Sequence, residues 1–192
     1  MSNYRRMRVP GGTYFFTVNL ADPDDCTLCV EIDLLRECYR KTQSELPFRT
    51  DAIVVLPNHI HAIWTLPEGD TDYSDRWRRI KGRFSCALGR RASVSHSKVV
   101  KRERGIWQRR FWEHTIRNDE DLDRHLAYCW LDPVRHDLVD NAADWAFTSF
   151  NKRGETMPQA AVQEASFKPE MMGEICRSAR PSQSQATHLA DG

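Results

Sequence analysis

Two histidines spaced one residue apart, His59 and His61, sit in the run Asn58-His59-Ile60-His61-Ala62-Ile63-Trp64-Thr65-Leu66. Successive side chains of a strand alternate, so Ile60, Ala62, Trp64 and Leu66 share one face and the two imidazoles share the other. Such a pair emerges side by side, where it can hold one metal ion. A second pairing lies further on. Tyr128 and Asp132 are four residues apart in a segment of helical periodicity, which stacks them one turn apart on one face. A phenol and a carboxylate reaching one spot can serve as nucleophile and metal ligand. Leu122, Leu126 and Cys129 trace the expected buried stripe of this helix, and Tyr128 lies about 200° around from Leu126 at about 100° per residue. The helical wheel therefore puts Tyr128 on the polar side, where a tyrosine by itself is an ordinary amphipathic surface residue. Pro133 is expected to end the helix where the Asp132 carboxylate is presented.

Several elements must position these groups. Thr13 to Leu20 is rich in aromatic and β-branched residues after Gly11-Gly12 and reads as a strand. Ile32, Leu35, Cys38, Tyr39 and Leu46 recur at near-helical spacing up to Pro47. Phe48 to Leu56 and Asn58 to Leu66 read as strands joined through Pro57-Asn58, an antiparallel hairpin. Tyr73 to Arg91 reads as an amphipathic basic helix, Ile106 to Ile116 as a fourth strand, and a last helix opens at Asn118, with Asp119, Glu120 and Asp121 suited to its N-terminal dipole. The order βαββαβ with a further helix predicts an α+β fold: a ferredoxin-like sandwich, an antiparallel sheet covered on a face by helices. Residues 1–150 form the expected domain, and 151–192, rich in Ala, Ser, Gln and Pro, an expected poorly ordered tail.

The net charge of +1 conceals its distribution. Between Arg76 and Arg110 stand thirteen Lys or Arg and a single acid, Glu103, while acids gather at Asp22 to Asp25 and Asp119 to Asp123. So one-sided a segment is an electrostatic footprint for a polyanion, and its bland alternative is a solvated helix face followed by a basic loop. Six cysteines are scattered over a chain of 192 residues, too long to need a disulfide framework, so reduced thiols are expected. The Cys26-x-x-Cys29 pair has no second pair to complete a zinc site. No run approaches the roughly 20 apolar residues of a membrane span, and the basic N-terminus lacks the apolar stretch of a secretory signal. Both point to a cytoplasmic protein.

Taken together, these segments resemble the single-tyrosine HUH transposases, and among them the bacterial REP-associated tyrosine transposases, which act on repetitive extragenic palindromes. The resemblance is carried by Tyr4-Arg5-Arg6 with Gly11-Gly12-Thr13-Tyr14-Phe15-Phe16-Thr17-Val18, by Leu56-Pro57-Asn58-His59-Ile60-His61, by Ile106-Trp107-Gln108-Arg109-Arg110-Phe111-Trp112-Glu113-His114, and by Tyr128 through Pro133-Val134-Arg135-His136. It spans almost everything up to about Phe150. It implies His59 and His61 as metal ligands, Tyr128 as nucleophile, Asp132 as third ligand where the family usually has Asn, and Mg²⁺ or Mn²⁺ as the ion. The family's histidine two residues after the tyrosine is Trp130 here, and its usual glycine near the end of the motif is Asp137.

The implied activity is cutting and rejoining single-stranded or hairpin DNA through a 5′-phosphotyrosine link. By charge and position, Arg5, Arg6 and Arg8 are candidates to read bases beside a hairpin, and Arg76, Arg79, Arg83, Arg109 and Arg110 to grip phosphates. Two rival readings stand beside this one: a non-catalytic DNA-binding protein derived from a transposase, and a metal-dependent phosphodiester hydrolase using metal-bound water.

Overall fold

The computed structural model describes residues 7–91 and 105–150. Arg5, Arg6 and the expected tail at 151–192 lie outside the described residues. Four strands, β1 (Thr13–Asn19), β2 (Arg49–Val55), β3 (His59–Thr65) and β4 (Trp112–Thr115), form one antiparallel sheet in the order β2-β3-β1-β4. The helices are α1 (Thr27–Val30), α2 (Ile32–Glu45), α3 (Tyr73–Arg91) and α4 (Asp119–Arg135), with a 3₁₀ turn at Ala142–Asp144. This is the ferredoxin-like α+β arrangement. No helix among the described residues is long and apolar enough to cross a membrane.

Alternation along the strands builds two cores. Tyr14, Phe16, Val18, Ile60, Ala62 and Trp64 pack beneath α2 and α3. Leu34, Leu35 and Cys38 come from the first of these helices, and Tyr73, Trp77, Ile80 and Phe84 from the second. Trp64 and Trp77 stack at 4.3 Å, so large planar surfaces hold α3 to the sheet. Phe15, Ala52, Val54 and Ile63 point the other way and pack beneath α4. Both helices of the βαββαβ unit thus cover one face, and the further helix covers the opposite face, which carries His59 and His61.

Three boundaries differ from the sequence reading. The strand expected over Ile106 to Ile116 is ordered as a ladder only over Trp112–Thr115, because its earlier part touches β1 through single bonds, Leu20 bridging Trp107 and Gln108 N donating to Asn19 O. A short helix, α1, precedes α2. Pro133 lies inside α4 and does not end it: the missing N–H falls in the last turn, and the helix runs on to Arg135. Ser149 N and Val55 N bond Phe147 to Ser149 against β2, which closes that sheet edge.

Candidate active site

His59 opens β3, directly after the Pro57-Asn58 turn that Leu56 N closes on His59 O. Asn58 is buried, and its amide nitrogen donates to Pro23 O, which turns its oxygen toward His59. That oxygen can only accept, and it lies 2.6 Å from His59 Nδ1, so Nδ1 carries the proton and Nε2 presents a lone pair. His61 is arranged similarly, its Nδ1 3.0 Å from the hydroxyl of Thr17, its partner across β1. The His61 ring stacks on Phe15 at 5.3 Å, which fixes its plane. Asn58 and Thr17 were missed by sequence reasoning, although strand alternation alone puts Thr17 on the histidine face.

α4 is anchored by Asn118, whose side chain accepts from Asp121 N at 2.8 Å, with three acids in the first turn. The helix lays a polar stripe against the sheet: Asp121, His125, Tyr128 and Asp132 are all buried. Tyr128 is only 7% exposed, which corrects the expectation of a solvent-facing polar side. The face it belongs to is polar yet buried, because the sheet surface beneath offers His61 and Phe15 as neighbours at 5.2 and 5.9 Å. The guanidinium of Arg135 lies 4.8 Å over the Tyr128 ring. Burial, and then the Asp132 carboxylate, raises the Tyr128 pKa far above that of an ordinary phenol.

Asp132 is 1% exposed, and its Oδ2 lies 3.4 Å from His59 Nε2 and 3.1 Å from His61 Nε2. Burial opposes its charge, but the facing imidazoles of His61 and His59 overcome that and hold the carboxyl well below the usual range. Burial pushes His59 down, against the pull of Asp132. Burial thus favours the neutral form of His59, the form in which an imidazole binds a metal ion. His61 Nε2 and Asp132 Oδ2 are buried without a hydrogen-bond partner despite their proximity. Acceptors converging on one point are stabilised by a cation between them, so the residues fit a divalent ion. The His59 and His61 ring planes cross at 78°, which lets both lone pairs meet at one point.

A second cluster, His114, Asp121 and His125, has similar composition and different geometry. Its two rings are stacked at 4.7 Å and 16°, so their in-plane lone pairs lie in nearly parallel planes. Asp121 Oδ2 lies 2.8 Å from His114 Nε2 and accepts from Arg117 N, and His125 Nδ1 donates to Asp121 O. This is a clamp tying β4 to α4. No disulfide joins the five cysteines among the described residues, and burial pushes Cys29 up to about 12.

The structure separates the candidate arginines. Arg76 is 2% exposed and donates to Asp70, Asp72 O and Pro47 O at 2.6 to 2.8 Å. It is a buried structural residue between α3 and its neighbours, so it cannot grip a phosphate. Arg79 and Arg83 both pair with Glu45 of α2 and hold the two helices together. Arg109 and Arg110 are exposed beyond Gln108, at the end of the sheet where His59 begins. Arg8 is exposed near Thr13, at the opposite end of β1, roughly 20 Å away by strand rise.

Comparison with known proteins bears on these elements. No family model matches the chain. A REP-associated tyrosine transposase of Escherichia coli (strain K12) is 44% identical over 152 residues, 79% of this chain and 84% of that protein. A relative from Haemophilus influenzae, assigned to the same family, is 43% identical over 162 residues, 83% of this chain and 92% of that protein. A solved structure of a REP-associated tyrosine transposase bound to a REP hairpin matches with a TM-score of 0.71 and 38% identity, covering 93% of this chain and 96% of that one. Identity at this level over most of both chains, with the same fold, makes this chain a member of the REP-associated tyrosine transposase family.

Proposed function

We propose that the chain is a metal-dependent DNA transposase that cuts and rejoins single-stranded or hairpin DNA of palindromic repeats in the cytoplasm, with Tyr128 as nucleophile. The observation that carries this reading is the convergence of His59 Nε2, His61 Nε2 and Asp132 Oδ2, with Tyr128 one helical turn from Asp132. A divalent ion held by these three, Mg²⁺ or Mn²⁺ by family resemblance, would supply Lewis-acid polarisation of the scissile phosphate. The Tyr128 oxygen forms a bond to phosphorus as the bond from phosphorus to the 3′-oxygen breaks. The phenolic proton ends on the leaving 3′-oxygen, and a 5′-phosphotyrosine remains. Attack by another 3′-hydroxyl reverses the step and rejoins strands, because the phosphodiester free energy is conserved in the covalent link.

The raised pKa of Tyr128 keeps its hydroxyl protonated at neutral pH, so the phenol needs positive charge beside it to become a nucleophile. Arg135 over its ring supplies part of that charge. The hairpin bound by the structural relative supports hairpin DNA as substrate, and exposed Arg109 and Arg110 are suited to phosphates near His59. The reading is tested by incubating a labelled hairpin oligonucleotide and Mn²⁺ with wild type, Tyr128→Phe and His59→Ala. Wild type should cut, and both variants should bind without cutting. Cutting by Tyr128→Phe at the wild-type rate would replace this reading with a metal-dependent hydrolase.

A further inference from the structure

We propose that His136 is a fourth donor to the ion at His59, His61 and Asp132, making a centre of three imidazoles and one carboxylate that takes Mn²⁺ or Zn²⁺ in preference to Mg²⁺. The proposal rests on the metal-site reading above. His136 is held at the C-cap of α4 by a pair of bonds around it: Leu138 N donates to Pro133 O and Asp137 N to Val134 O, both at 3.0 Å. Asp137 adopts φ 54°, the left-handed turn that this motif needs. His136 therefore lies one turn beyond Asp132, on the face that carries Tyr128 and Asp132. Its Nε2 is 3.7 Å from Asp132 Oδ1, and its ring crosses that of His59 at 64° and 5.1 Å.

Both carboxylate oxygens of Asp132 are thus used. Oδ2 faces His59 and His61, and Oδ1 faces His136. An amide at this position would offer N–H to one of these imidazoles and tie up its lone pair; a carboxylate has no N–H to offer. The donor atoms of His59, Asp132 and His136 lie within 4.8 Å of one another. Around an ion with bonds of about 2.1 Å, donors sit roughly 3–4 Å apart, so these three, with His61 Nε2 3.1 Å from Asp132 Oδ2, close on an ion by a contraction on the order of 1 Å. His136, 22% exposed, has room for it. It borders an open pocket with Asp24, Asp25, Pro57, Asn58 and His59, which gives an ion a way in. Three imidazole nitrogens suit Mn²⁺ or Zn²⁺, whereas Mg²⁺ favours oxygen donors and retained waters.

The test is metal binding by the full chain. Pulsed EPR of the Mn²⁺ form should count three coordinated imidazoles in wild type and two in His136→Ala. Calorimetry should show that variant binding Mn²⁺ and Zn²⁺ at least tenfold more weakly, since loss of supporting groups alone costs about 10–100-fold. Its Mg²⁺ affinity should move little. His136→Phe preserves a ring against His59 and should show the same loss, unlike a packing role. An unchanged imidazole count in His136→Ala, with binding lost in His59→Ala, would overturn this inference and leave the three-ligand site standing. Wild-type Mn²⁺ binding by His59→Ala would overturn the site reading, and this inference with it.

Discussion

Replacing Arg76 with methionine should damage the fold and leave the electrostatics of DNA binding alone. The guanidinium is 2% exposed and donates at 2.6 Å to Asp70, at 2.8 Å to Asp72 O and at 2.7 Å to Pro47 O. Methionine keeps an apolar stem but strands three acceptors at once. Breaking one partner from a buried ion pair costs about 3–5 kcal/mol. Asp70 is 31% exposed and recovers part of that from water, so about 3 kcal/mol is expected. At about 3 °C per kcal/mol for a domain of this size, the melting temperature should fall by roughly 10 °C. DNA binding measured against salt below that temperature should keep the wild-type slope. A phosphate contact would instead take about 0.7 from the slope for a single strand. An unchanged melting temperature with a shallower salt slope would refute the burial argument.

Other consequences follow from the same geometry. Asp137→Gly should raise stability by about 1 kcal/mol in urea unfolding, because glycine occupies φ 54° without a Cβ penalty; a loss of stability would mean that the Asp137 side chain has a role of its own. Thr17→Val removes the hydrogen-bond partner of His61 Nδ1 and should weaken Mn²⁺ binding about tenfold with little change in fold, which calorimetry would check. Burial pushes the folded pKa of His125 below its ordinary value. The unfolded chain therefore gains a proton first as pH falls, so stability present above about 6.5 is lost on acidification, by up to about 1.4 kcal/mol per unit of depression. Urea unfolding of wild type and His125→Phe between about pH 7.5 and about pH 5.5 should show a flatter dependence in the variant; equal slopes would contradict it.

The histidine pair was legible in the sequence because a strand with period two leaves little freedom: Ile60, Ala62 and Trp64 in one core require His59 and His61 on the other face. The element order was legible for the same reason, each strand and α2 and α3 carrying its own periodic apolar pattern. The α4 face was not. Hydrophobic periodicity finds apolar stripes, whereas α4 buries Asp121, His125, Tyr128 and Asp132 against a sheet that supplies imidazole and hydroxyl partners. Only the tertiary pairing makes that face an inside. Part of the basic run is balanced from afar: Glu45, over thirty residues away, engages both Arg79 and Arg83, beside Asp75 one turn before Arg79. A one-sided local charge can be balanced across a helix pair, and no window along the chain records that. His136 belongs to the Pro133-Val134-Arg135-His136 segment, yet its place beside Asp132 depends on the C-cap turn after Pro133.

In the proposed mechanism Tyr128 itself becomes joined to DNA. The measurement is peptide mass mapping after the full chain is incubated with Mn²⁺ and a hairpin oligonucleotide, then denatured and digested with nuclease and protease. The peptide containing Tyr128 should gain the mass of a 5′-phosphorylated nucleotide, and a free 3′-hydroxyl end should appear on the other strand fragment. Cleaved DNA with free 5′-phosphate ends and an unmodified Tyr128 peptide would contradict it.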